Sequence, residues 1–123
     1  MTTPNMVLLY VQDPAKSVDF YTDILNASPL DQSPTFAMFQ MNEGTVLGLW
    51  GKNGVEPKVT APAGATELGV HVENRTMVDA LHADWAGRNV PIAQAPTKMD
   101  FGYTFVGLDP DGHRLRVFSP EAP

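Results

Sequence analysis

At 123 residues the chain has the length of one domain, and an apolar content of 43% is enough to build a core. A net charge of −6, with the eight Lys and Arg scattered, argues against nucleic-acid and anionic-membrane partners. The absence of cysteine excludes disulfide frameworks, thiol catalysis and cysteine zinc sites. With no apolar run long enough to cross a bilayer and no leader-like start, a soluble cytoplasmic protein is expected.

The first predicted strand is NMVLLYVQ (5–12), and a helix is expected over 13–26. Asp13 suits its N-cap, and Pro14 suits the first helical position, where a missing N–H costs nothing. Val18, Tyr21 and Leu25 repeat at helical spacing, and Asn26 can close the helix in a left-handed conformation. TFAMFQM (35–41), the turn NEG and TVLGLWG (45–51) predict a hairpin. The Gly- and Pro-rich stretch 52–64 reads as a linker.

The pattern then restarts. TELGVHVE (66–73) is a predicted strand, and Asn74 can cap a helix carrying Val78, Leu81 and Trp85 on one face, with Gly87 near its end. VPIAQAP suits an edge strand because Pro91 cannot donate to a ladder. FGYTFVGL (101–108), the turn DPDG (109–112) and HRLRVFSP (113–120) predict a second hairpin. In DPDG, Pro110 and Gly112 hold the second and fourth positions of a type I turn, and the rest of a calcium loop is missing.

Two fixed offsets relate the halves. An offset of 61 carries Val11 onto Val72, Asp13 onto Asn74 and Asn26 onto Gly87; an offset of 68 carries Gly44 onto Gly112 and Leu47 onto Leu115. The chain is therefore read as a duplicated βαβββ module, the first about 5–51 and the second about 65–120, within a single domain of residues 1–123. The expected class is α+β.

Two such modules, with D-x-x-x-S-x-x-F-Y at Asp13–Tyr21 and LDPDGHRLRVF near the end, resemble the vicinal oxygen chelate superfamily over nearly the whole chain. That group includes glyoxalase I, extradiol dioxygenases and the bleomycin- and fosfomycin-resistance proteins. The resemblance implies a cup-shaped sheet and a homodimer. It leaves the activity open, since the fold hosts many.

Alternation along each strand sorts side chains between the helix-packed core and the cup. Met6, Leu8 and Tyr10 share one face of the first strand; Glu67, Gly69 and His71 match them in the second module. By the offset of 68, Val46, Gly48 and Trp50 face the cup, as do Arg114, Arg116 and Phe118. In metal-dependent relatives, ligands come from the first and last strands of each module. Carried over, these positions are Met6, Gly48, Glu67 and Arg116. A thioether, a bare glycine and a guanidinium do not suit a hard or borderline cation, and one carboxylate falls short of a catalytic site. No metal, no cofactor and no catalytic residue are expected.

What the resemblance then implies is binding without chemistry, as in relatives that sequester flat aromatic antibiotics such as phenazines. The expected ligand-binding residues are Trp50, Gly48, Tyr10, Leu8, Phe39, Glu67, His71, Tyr103, Phe105 and Arg116. Trp50 can stack on a planar ligand, or fill an interface. Glu67 and Arg116 can form an ion pair in the vacated metal position, or Arg116 can face a ligand oxygen. The alternatives are a glyoxalase-like lyase or a dioxygenase-type enzyme with an atypical site such as Glu67 with His71, and a non-catalytic interaction module. No Ser-His-Asp arrangement and no phosphate loop is legible.

Overall fold

The structure is a computed structural model that describes residues 2–123. It divides into two compact units, residues 1–62 and 63–123, with the division inside the Gly- and Pro-rich stretch. Each unit is a four-stranded sheet with one helix, in the order βαβββ.

In the first unit, β1 (Met6–Val11) leads into α1 (Pro14–Leu25), then β2 (Asp31–Gln32), β3 (Phe36–Asn42) and β4 (Thr45–Gly51). The strand order is β1-β4-β3-β2, with β1 parallel to β4 and the remaining pairs antiparallel. The carboxylate of Asp13 accepts from the Ala15 N–H at 3.0 Å and caps α1. At the other end Asn26 is left-handed (φ 51°), and the Ala27 N–H reaches back to the Thr22 carbonyl. The helix lays Val18 and Tyr21 on the sheet, where Leu9, Val11, Ala37, Phe39, Leu47 and Leu49 are buried with them. The Tyr21 and Phe39 rings sit 6.4 Å apart. Each such side chain contributes about 1.5–3 kcal/mol by leaving water.

The second unit runs β5 (Glu67–His71), α2 (Arg75–Gly87), β6 (Ile92–Met99), β7 (Gly102–Leu108) and β8 (Arg114–Pro120), in the order β5-β8-β7-β6. Asn74 caps α2 by accepting from the Met77 N–H at 3.0 Å. The left-handed residue that ends α2 is Asn89 (φ 65°), two positions beyond the expected stop at Gly87. The reason is a Schellman motif: the Val90 N–H bonds to Trp85 O and the Asn89 N–H to Ala86 O. This winds Val90 back against Trp85. Both press on Gly107, where a Cβ would stand 3.0 Å from the indole and 3.1 Å from Val90, so that position admits only glycine without a shift. The core holds Val78, Trp85, Phe105, Leu115 and Val117, with the Trp85 and Phe105 rings edge to face at 5.2 Å.

At the sheet edge, β6 runs beyond the expected VPIAQAP as far as Met99. It accommodates Pro96 through two register irregularities, as an edge strand can. In the DPDG turn, Gly112 is left-handed (φ 89°) and its N–H bonds to Asp109 O. The Asp109 carboxylate takes the N–H groups of Asp111 and His113, both at 2.9 Å. Among the described residues no helix is long and apolar enough to cross a membrane.

Candidate ligand-binding site

Each sheet has one face against its helix and one far face. In the first unit the far face is set by cross-strand pairs: Met6 lies opposite Val46, Leu8 opposite Gly48 and Tyr10 opposite Trp50 on β1 and β4. β3 adds Phe36 opposite Trp50 and Met38 opposite Gly48. Met6, Leu8, Phe36 and Trp50 line a wide-open apolar recess of ≈ 360 Å³. That volume is in the range of small-ligand pockets. Trp50 is held on two sides by aromatic edges: Phe36 at 6.4 Å and 82°, and Tyr10 at 6.3 Å and 74°. Such edge-to-face pairs orient the indole and leave ring surface for the recess.

Gly48 has a local explanation. A Cβ there would stand 2.5 Å from Leu8 Cδ2 and 3.2 Å from Phe36 Cζ. Leu8 and Phe36 lie over the strand at this point, so a methyl on residue 48 would have to displace the end of the exposed Leu8 side chain, and the glycine lies buried beneath them. Gly48 therefore shapes the recess from below and does not line it.

In the second unit the far face is polar. Arg116 is the hub: its Nε and Nη2 donate to the two oxygens of Glu67 at 2.9 and 3.0 Å, and its Nη1 donates to Gln94 Oε1 at 3.0 Å and Thr104 Oγ1 at 3.3 Å. The guanidinium also stands 5.8 Å from the Phe101 ring centroid. Arg114 adds a looser ion pair to Glu67 at 3.7 Å. The hydrogen bond from Arg116 holds the Glu67 carboxyl below its usual range; partial desolvation opposes this, and the charges of Arg116 and Arg114 reinforce it. Next to this network the His71 and Phe118 rings are 5.6 Å apart, and Phe118 meets Phe101 edge-on at 6.4 Å.

The structure separates the expected site residues into two groups. Leu8, Tyr10 and Trp50 lie on the far face of the first unit, and Glu67, His71 and Arg116 on that of the second. Phe39, Tyr103 and Phe105 were expected among the ligand contacts and lie instead on the helix sides. Phe39 is fully buried beside Tyr21, and Phe105 is fully buried beside Trp85. The Tyr103 hydroxyl donates to Asp79 on α2 at 2.8 Å, and its ring lies under Arg75. His82 on α2 likewise turns inward, 5.4 Å from the Phe105 ring.

One cause explains all three phenyl and phenol misplacements. Strand facing reverses with a slip of one residue. A register shift between Gln40 and Asn42 puts Phe39 opposite Leu47, where an unbroken ladder would put it opposite Gly48. Across the DPDG turn, pairing resumes with Leu108 opposite Arg114, which sets Phe105 against Val117 and Tyr103 against Ser119. The β3 shift brings Phe36 to the far face, and the irregular pairing of β6 places Gln94 opposite Val106; the sequence singled out neither of them, nor Phe101 in the turn between β6 and β7. The left-handed glycines Gly44 and Gly112, which permit an extra residue beside each turn, were the available signal.

The positions that would carry a metal in related folds do not fit one here. Met6 lines an apolar recess, Gly48 has no side chain and both Glu67 oxygens are occupied by Arg116. Among the described residues no group of three His, Cys, Asp or Glu is placed to hold a cation.

Comparison with known proteins agrees with the fold. A family model for the Glyoxalase/Bleomycin resistance protein/Dioxygenase superfamily matches residues 3–117. The chain is 31% identical over 118 residues to the phenazine antibiotic resistance protein EhpR of Enterobacter agglomerans, covering 94% of this chain and 90% of that protein. The solution structure of protein ATC0852 from Agrobacterium tumefaciens matches with a TM-score of 0.87 at 43% identity, over 99% of this chain and 100% of that one. A glyoxalase-related enzyme from Fulvimarina pelagi shares the fold, with a TM-score of 0.85 at 22% identity over 97% of this chain and 88% of that one.

Proposed function

This chain belongs to the Glyoxalase/Bleomycin resistance protein/Dioxygenase superfamily, and from that membership we propose that it is a resistance protein that sequesters a planar aromatic antibiotic, of the phenazine class, without altering it. The observation that carries this reading is the apolar recess between Met6, Leu8, Phe36 and Trp50. A flat ring system seated there removes apolar area from water at about 25 cal/mol per Å², and gains further from contact with the indole. Similarity to a phenazine resistance protein supports the ligand class. The unsuitable donors at Met6, Gly48, Glu67 and Arg116 support binding without metal chemistry, and no step is routed through a metal. A homodimer belongs to the same reading, supported by the exposure of Met6, Leu8 and Tyr10, each 40–42% accessible.

Phenazine titration followed by tryptophan emission tests it. Trp85 is buried in the core of the second unit, and the part of the quenching that disappears in Trp50→Ala reports on Trp50. Saturable quenching is expected, the ligand should be recovered with its mass unchanged, and Trp50→Ala should weaken binding, measured by calorimetry, at least roughly tenfold. Failure of every flat aromatic compound to quench, together with no protection of cells expressing the protein, would sink the proposal. So would turnover of the compound, or a stoichiometric divalent ion bound at Glu67.

A further inference from the structure

Among the asparagines of the chain, Asn53 alone precedes a glycine. Lys52, Asn53 and Gly54 form one turn of 3₁₀ helix directly after β4. The turn is fixed at both flanks and loose between them. Gly51 donates its N–H to Thr35 O at 2.9 Å, and Val55 is buried, whereas residues 52–54 are exposed. The bond closing the turn, from the Val55 N–H to Lys52 O, is 3.4 Å long, so the turn opens locally at little cost. Among the described residues nothing hydrogen-bonds the Asn53 side chain, whereas that of Asn74 is held by the Met77 N–H. Asn26 and Asn89 precede Ala27 and Val90, whose side chains crowd the backbone nitrogen that follows each asparagine. Trp50 stands next to the turn: a Cβ on Gly54 would lie 3.9 Å from the indole Nε1.

We propose that Asn53–Gly54 is a self-modification site beside the aromatic recess. The Gly54 backbone nitrogen, unhindered by a Cβ, loses its proton and attacks the amide carbon of the Asn53 side chain. The new C–N bond closes a succinimide, and the side-chain nitrogen leaves as ammonia, taking up the proton. Solvent water then opens the ring at one carbonyl or the other, giving aspartate or isoaspartate with no further co-reactant. Either product places a new negative charge beside Trp50, and isoaspartate also adds a methylene to the main chain ahead of Gly54. One wall of the recess therefore changes with the age of the molecule. The inference goes beyond the function proposed above and does not rest on it.

The test is incubation of the folded protein in mildly alkaline buffer, where more of the attacking nitrogen is deprotonated. Peptide mapping by mass spectrometry follows each asparagine, and isoaspartyl methyltransferase measures isoaspartate. Conversion at Asn53 is expected to run at least roughly tenfold faster than at any other asparagine, and Gly54→Ala should slow it by a similar factor. That variant should keep the fold, because its methyl meets only ordinary contact with Trp50. Fresh and converted protein, separated by ion exchange, should differ in tryptophan emission, and the difference should vanish in Trp50→Ala. No conversion at Asn53 would overturn the proposal, as would equal rates at the other asparagines or in Gly54→Ala. Conversion that leaves Trp50 emission unchanged would overturn its placement beside the recess. None of these readouts uses a phenazine, so failure here and failure of phenazine binding are told apart.

Discussion

In the first unit the far face of the sheet carries Met6, Leu8, Phe36 and Trp50; in the second it carries Glu67, Gln94, Arg114 and Arg116. The strand orders are the same, and so are the parallel pairings between the first and last strands. One cross-strand pair shows how the chemistry diverged. Leu8 faces Gly48 in the first unit, and Gly69 faces Arg116 in the second. Both pairs join one glycine to one large side chain, but the glycine has changed strands. In the first unit the large partner is aliphatic and folds over the glycine. In the second it is a guanidinium that gathers Glu67, Gln94 and Thr104. A shared backbone fixes where side chains stand, while their identity decides whether that face is apolar or charged.

The largest effects should fall where the units agree. Phe39 and Phe105 are each fully buried on a helix side, so Phe39→Ala and Phe105→Ala should each cost about 3–5 kcal/mol in denaturant unfolding. A cost below about 1 kcal/mol for either would place that ring outside the core and revive it as a ligand contact. Smaller and confined to the second unit is the effect of Glu67→Gln, which leaves Arg116 with a neutral partner. A loss of about 1–2 kcal/mol is expected after allowance for the partly exposed pair. No measurable loss would mean that Gln94 and Thr104 alone hold Arg116.

Gly48→Ala sharpens the comparison in the first unit. Alanine normally improves a strand relative to glycine, but here its methyl meets Leu8. A net cost of about 1 kcal/mol is expected from overpacking, and it should shrink or reverse in a Leu8→Ala background. Strict additivity of the two substitutions would remove Leu8 as the reason for the glycine.

The smallest effect concerns the C-terminal tail of the second unit. The hydrogen bond from Arg75, with help from Lys98, holds the Glu121 carboxyl down at about 2, against the opposing effect of partial desolvation. A carboxyl depressed on folding stabilises above its unfolded value near 4.5, and that stability is lost as pH falls from there toward about 2. Melting temperatures of the protein and of Glu121→Gln should therefore differ at neutral pH and converge in acid. A constant difference across that range would show that Glu121 acts by packing.

Most of the architecture was legible because it depends on local chemistry. Asp13, Pro14 and Asn26 bound the first helix through groups within a few residues of one another, and Asn74 starts the second in the same way. The hydrophobic sets Leu9 with Val11, and Leu115 with Val117, point to the helix side as alternation requires. Three of the five expected Phe, Tyr and Trp contacts, Phe39, Tyr103 and Phe105, were not legible. Phe39 and Phe105 stand on strands whose facing depends on one extra residue beside a turn, and alternation cannot show where that residue is absorbed.

The duplicated βαβββ plan, the helix starts and the unsuitability of Met6, Gly48 and Arg116 as metal donors follow from spacing and side-chain type, which are properties of the chain. Pairing across strands, which the sequence does not print, sets Phe36 beside Trp50 and gathers Glu67, Gln94 and Thr104 around Arg116. The same pairing puts the end of the Leu8 side chain over Gly48. Each of these depends on which residues meet across strands, and that is set by register and close packing between segments distant in the chain.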